Sequence, residues 1–460
     1  MIASIKSRWL QLRCAVTPLL TGLDRFASVH ETALFWGLGI LYKFVLDALY
    51  VWAASPQYAY AGLVYAPSFF KYVVASLMYL ALFAYLPKRE HDTVTFLFHL
   101  QFVYSVAPML AFYSFSDGSS RYMAAVFLCV LLQIFLIRRP AQNSLPVHIK
   151  GIRNYITVAF GVLVIFVLLV PVLYNGFNGL AAFDFSYIYQ MRANATYPPG
   201  FGYLLNWTGK VVLPFACLMF LYQKKYRWLL AAVVLQLLLY METGQKIILF
   251  ILVPILVIYL LSKTGHLLKL MYLGLALLFL GVILAYRLDK AGQHSLGIML
   301  NSLIAIRAIF HPADNKFTYY ECFSQYPKLY FSDGQIGRML GLTYPYQGSV
   351  GQVVYAFTGG TFKGSNTNTG YLGESYAQMG FLGMLLMSLL LVLLLRSLRT
   401  YDTREHTGLL TALFAIYIII LNDGALLTTL FTGGMLLAYL LVFIYFSKHS
   451  EGADNGIQCQ

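Results

Sequence analysis

The chain has 460 residues, 59% of them apolar and 11% charged, with a mean hydropathy of +0.68 and a formal net charge of +14. A soluble domain carries about a quarter charged residues, so this much apolar side chain exceeds what one water-soluble core hides, and much of it must face lipid. Basic residues set between apolar runs serve orientation in a bilayer, which argues against nucleic acid as a partner. The expected fold class is all-α, a polytopic integral membrane protein forming a single membrane domain over residues 1–460.

Residues 1–32 are basic and lack a small-residue cleavage site, so they read as a retained cytoplasmic segment rather than a signal peptide. A bilayer core of about 30 Å needs roughly 20 apolar residues per helix. About twelve windows qualify: 33–53, 68–87, 92–114, 121–138, 154–174, 208–223, 227–242, 246–262, 267–287, 371–396, 407–422 and 425–446. Lys43 falls inside the first, where a charge is costly in lipid; Asp47, one helical turn on, is its expected partner. The five cysteines (Cys14, Cys129, Cys217, Cys322 and Cys459) show neither a CxxC pair nor metal-ligand spacing.

Basic residues recur in every second connection: Lys88 and Arg89, Arg138, Arg139, Lys150 and Arg153, Lys224, Lys225 and Arg227, Lys263 and Lys269, Arg396, Arg399 and Arg404, then Lys448. By the positive-inside rule these connections are cytoplasmic, and an even number of spans puts both termini there. Two opposite connections, 175–207 and 288–370, are far longer than a helix hairpin needs, and such loops usually carry function. Within the second, 297–310 reads as a helix lying on the membrane.

In the first long connection Arg192 stands among Tyr187, Tyr189, Tyr197, Tyr203 and Trp207, followed by the turn Pro198-Pro199-Gly200. Aromatic faces pack on sugar C–H faces, and a guanidinium offers paired donors matched to phosphate oxygens. An interfacial aromatic belt with a solvated arginine is the plain alternative. Lys246 sits in the hairpin Glu242-Thr-Gly-Gln-Lys246, where it either snorkels or joins an anionic site. The second connection brings Arg287, Arg307, Arg338 and Lys363 against the usual charge bias, together with many tyrosines. Its stretch Thr358–Gly370, with Asn366, is rich in glycine and hydroxyls just ahead of a helix start, a composition suited to an anion-binding nest. Glu374, in the first turn of the tenth window, is either a stabilising charge at a helix end or a general base; His311 and Asp314 are rival bases. Nucleophile-elbow, zincin, Walker and dinucleotide fingerprints are missing from the sequence.

On these residues the chain resembles the bacterial oligosaccharide repeat-unit polymerases, the Wzy family of O-antigen and capsule polymerases. Arg192 followed by Gly200 and Gly202, and Arg338 followed by Gly348, are similar to that family's paired arginine-to-glycine loops. The Thr-Gly-Gln-Lys246 hairpin and the Thr369-Gly-Tyr-Leu-Gly-Glu374 helix start are similar as well. The resemblance implies periplasmic loops on a bacterial inner-membrane protein related to O-antigen ligases and to membrane glycosyltransferases of the C type. It implies transfer of a glycan from undecaprenyl pyrophosphate to a sugar hydroxyl of another lipid-linked repeat unit. The expected roles are Arg192, Arg338 and Glu374 in catalysis, with Lys246, Arg287, Arg307, Lys363, Tyr187, Tyr197, Tyr203 and Asn366 binding substrate. No cofactor and no metal are expected; a chain-length regulator (polysaccharide co-polymerase) and a flippase are the expected protein partners. An O-antigen ligase, or a lipid-linked oligosaccharide flippase or secondary transporter, is the competing reading.

Overall fold

A computed structural model describes residues 31–139, 152–176, 179–184, 187–289, 295–360 and 365–446. The described residues are helical with no strand. In chain order the helices are α1 (Glu31–Ala61), α2 (Phe69–Tyr85), α3 (Thr93–Phe115), α4 (Ser120–Ile137), α5 (Ile152–Asn175), α6 (Tyr187–Asn194), α7 (Phe201–Tyr222), α8 (Tyr226–Thr243) and α9 (Lys246–Ser262). They continue with α10 (Leu267–Leu288), α11 (Leu296–Gln325), α12 (Gln335–Met339), α13 (Val350–Phe357), α14 (Tyr371–Thr400), α15 (Thr407–Ile420), α16 (Leu426–Leu430) and α17 (Met435–Phe446). Among the described residues, 8 helices (α1, α3, α4, α5, α7, α10, α11 and α14) are long and apolar enough to cross a membrane; α2, α9, α15 and α17 are shorter apolar helices.

Burial sorts these helices into a centre and a rim. Almost every side chain of α3 is buried, as is the run Thr407–Ile418 of α15, so these two form the middle of the bundle. A helix apolar all round belongs in such a place. At the rim, α5 exposes Val158, Val162, Ile165, Leu169 and Leu173, an apolar stripe at helical spacing. A stripe of that size in water would be an aggregation surface; in a bilayer it is the lipid-facing side. In α1, Lys43 and Asp47 form a buried ion pair.

The connections separate into two ends. At one, Asp92 caps α3 through Val94 N (2.9 Å) and pairs with Arg399 (3.0 Å), Glu90 accepts from Leu268 N (2.9 Å), and Asp402 accepts from Thr93 N (2.7 Å). The basic residues 88–89, 138–139, 263 and 396–404 collect here. The other end has hydrogen bonds between uncharged groups at several joints: Asn301 Nδ2 to Ala53 O (2.7 Å), Trp207 Nε1 to Phe431 O (2.9 Å) and Tyr371 N to Leu421 O (3.2 Å).

Three elements differ from the sequence expectation. The helix of the sixth apolar window, α7, begins at Phe201 rather than near 208, taking part of the first long connection into the bundle. The final window is broken between α16 and α17. Finally, α11 does not stop near 310 or rest on the surface. It runs to Gln325 and buries Asn301, Ile306, Phe310, Lys316, Tyr319 and Phe323 against the ends of its neighbours. Pro312 is tolerated because it stands in the first turn of the α-helical segment that follows the π-helical stretch Asn301–Phe310.

Candidate functional site

The end of the bundle opposite the basic connections holds a cavity of about 550 Å³. Its walls come from α7 (Tyr203), the segment 331–338 (Phe331, Asp333, Arg338), α14 (Glu374, Gln378) and the hairpin leading through α16 (Thr428, Phe431). Three of the sequence candidates, Tyr203, Arg338 and Glu374, thus face one space.

A break in α14 builds this arrangement. Met379 and Gly380 leave the helical region, with Gly380 at φ 62° and ψ −145°, a conformation confined in practice to glycine. The break frees carbonyls of the preceding turn. The segment after α11, which turns at Tyr330 and Phe331, takes them up: Leu329 N donates to Ala377 O and Tyr330 N to Gln378 O, both at 3.0 Å. The Gln378 side chain completes the seam. Its Oε1 accepts from Phe331 N at 2.6 Å, while its Nε2 donates to Glu374 Oε1 at 2.6 Å and to Asp333 Oδ1 at 3.0 Å. One amide therefore orients two carboxylates, and the turn beyond it leads into α12, which carries exposed Arg338 to the rim.

Lysines brace the site from behind. Fully buried Lys316 gives its ammonium to Pro312 O (2.9 Å), Asn422 O (2.8 Å) and Asn422 Oδ1 (2.8 Å), joining α11 to the hairpin that supplies the cavity wall. Lys328 bonds to Phe323 O and lies 3.8 Å from the centre of the Tyr376 ring. Burial pulls its amine down to about 8.

Arg192 and the hairpin that leads into Lys246 come together elsewhere. Arg192 lies exposed on α6, whose Ile188 and Met191 pack on the Gly244 turn; a Cβ on Gly244 would stand 3.6 Å from Arg192 Cγ. Lys246 starts the next helix, and Tyr197 is close enough to Glu242 for that carboxylate to add to the burial that raises its phenol. Tyr197 stacks obliquely on Phe201 at the start of α7, two residues before Tyr203. The short N-terminal part of α7 thus stands between the Arg192 neighbourhood and the Arg338 cavity. Tyr187 is exposed at the first position of α6.

The remaining candidates are scattered. Arg287 is exposed in the last turn of α10, and Arg307 is exposed on α11 beside His311. Asn366 accepts from the Ser349 hydroxyl that caps α13. Lys363 lies outside the described residues. Sequence reasoning missed Asp333 and Gln378; Gln378 stands four residues after Glu374, a spacing that puts both on one helix face. Among the described residues no group of three His, Cys, Asp or Glu side chains is placed to hold a metal ion.

Compared with protein-family models, with curated proteins and with solved structures, the chain matches none.

Proposed function

We propose that the protein is a membrane glycosyltransferase that polymerises lipid-linked oligosaccharide repeat units. In this reading the chain crosses a bacterial inner membrane about twelve times, its basic end is cytoplasmic, and the Arg338 cavity opens to the periplasm. The observation that carries the reading is the cavity itself: one guanidinium, two carboxylates set by a shared amide, and three aromatic rings, at the end where both long connections fold.

The chemistry needs few parts. The bond between the donor sugar's anomeric carbon and the pyrophosphate oxygen breaks, and the pyrophosphate departs with the electron pair. Arg338 faces that developing charge, with Arg192 and Lys246 across α7 as further anchors for phosphate oxygens. The acceptor hydroxyl forms the new bond to the anomeric carbon and yields its proton to Glu374, held in place by Gln378. Configuration inverts, and neither nucleotide nor metal is required.

The test is a gel of glycan products. Detergent-solubilised protein, given lipid-linked repeat units and a chelator but no ATP, should yield a ladder. Folded protein that leaves only single repeats removes this reading and favours a flippase, which needs a sealed vesicle and lengthens nothing.

A further inference from the structure

The face of α11 opposite Lys316, Tyr319 and Phe323 borders a second cavity, of about 780 Å³. Positions 311, 314, 318 and 321 fall on that face by the 3.6-residue period. It differs from the first cavity in having, among the described residues, no guanidinium to balance its acids. Asp117, Asp314 and Glu321 supply carboxylates, Tyr60, Tyr355 and Phe357 supply rings, and among the described residues no lysine or arginine lines it. The Asp314 carboxylate makes no hydrogen bond or ion pair among the described residues. Gly62 at φ +100° leaves room for it, since a Cβ there would stand 2.9 Å from Asp314 Oδ2. Tyr60, 82% exposed, stacks on Tyr58 with centroids 5.3 Å apart, giving a flat aromatic shelf beside the carboxylates.

A carboxylate is an acceptor only, so this cavity awaits a ligand rich in donors. Its rings suit the C–H face of a sugar, and its volume is that of a ligand site. Carboxylates with no lysine or arginine beside them disfavour phosphate and uronic acids, which argues against the pyrophosphate as occupant.

We propose that this cavity is a glycan subsite that takes neutral or amine-bearing sugar rings and excludes acidic ones. For the identity of the glycan, the sugar portion of the lipid-linked substrate whose pyrophosphate faces Arg338, the inference rests on the function proposed above.

The experiment is saturation-transfer NMR on the full chain in detergent, with maltotriose and tri-N-acetylchitotriose as neutral probes and trigalacturonic acid as the acidic one, all in a chelator. Saturable contact with at least one neutral probe and none with the acid is expected. Asp314→Asn and Tyr60→Ala should each weaken binding at least tenfold; Tyr60 is too exposed for its loss to unfold the bundle, and a melting curve checks the aspartate variant. No saturable neutral binding, equal binding of the acid, indifference to both variants, or a requirement for calcium would each overturn the proposal. Glycan binding that survives while the polymerisation gel stays blank leaves the subsite standing and removes the polymerase reading alone.

Discussion

The indole N–H of Trp207 donates to the carbonyl of Phe431 at 2.9 Å, tying the start of α7 to the break between α16 and α17. Both residues also line a mostly apolar groove of about 880 Å³ that runs down α17 and α14 to Arg396. Trp207→Phe keeps a ring and deletes the donor. A net hydrogen bond contributes about 1 kcal/mol, so melting in detergent should fall by a few degrees. An unchanged melting curve would show that the contact does not hold these helices together.

Arg338 and Arg192 sit in separate neighbourhoods, so their loss should differ in kind. Arg338→Ala should cost about 2.7–4 kcal/mol of transition-state stabilisation, the scale of one lost oxyanion donor, with Lys a poor replacement because the paired donors are gone. Arg192→Ala should chiefly raise the KM for the donor. Steady-state assays with lipid-linked units separate the two; equal falls in kcat would contradict the division.

Gln378 orients both carboxylates of the cavity and accepts from Phe331 N. In Gln378→Leu the partly buried Phe331 N and Glu374 lose their partner, at about 1–3 kcal/mol for each group left unpaired away from water, while exposed Asp333 turns to solvent. Glu374→Gln is milder, keeping the helix and losing the base. The glutamate variant should therefore bind donor, hold its melting temperature and stop transfer, while the leucine variant loses melting temperature as well. Full turnover in Glu374→Gln would eliminate that carboxylate as the base.

Gly380→Ala strains a backbone conformation that non-glycine residues avoid, at about 1–3 kcal/mol. The variant should lose activity even though position 380 does not line the cavity, because the seam from Leu329 to Phe331 depends on the break. Wild-type turnover in a stably folded Gly380→Ala would detach the break from function.

Lys328 gives a pH signature. Burial lowers its folded pKa to about 8 from the ordinary 10.5. Holding the charged form in the fold is unfavourable, so below pH 8 the penalty is present in full. It fades as pH rises from about 8 towards 10.5, and stability relative to Lys328→Met should rise over that window. Denaturation curves at pH 7 and 9.5 for both proteins test the sign; parallel pH dependence would refute it.

Much of the scaffold was readable from hydropathy alone, since α2, α3, α4, α8, α9, α10, α14 and α15 fall within a few residues of the apolar windows. The continuation of α11 was not, because His311–Gln325 is polar on average. What keeps it helical is tertiary: Lys316, Tyr319 and Phe323 are buried by α14 and its neighbours. The site divides the same way. Three of its residues each carried a local signal: Arg338 sits on a loop against the usual charge bias, Glu374 in the first turn of a helix, and Tyr203 in the aromatic run after Arg192. Asp333 gave no such signal and Gln378 only its spacing from Glu374, because their importance comes from how the break at Gly380 meets the segment after α11.

That break has a consequence for how the protein tolerates change in length. Backbone donors 329, 330 and 331 each have an assigned acceptor on α14, so a residue inserted between Lys328 and Phe331 would shift the register and empty at least one of them. Past Arg338 the backbone bonds are local, Gly341 N to Arg338 O and Leu342 N to Gly337 O, and Met339 and Leu340 stand in the open. Insertions and deletions among variants of this chain should therefore gather at 339–343 and spare 328–331, making loop length past Arg338 a freely adjustable trait and the seam a ruler.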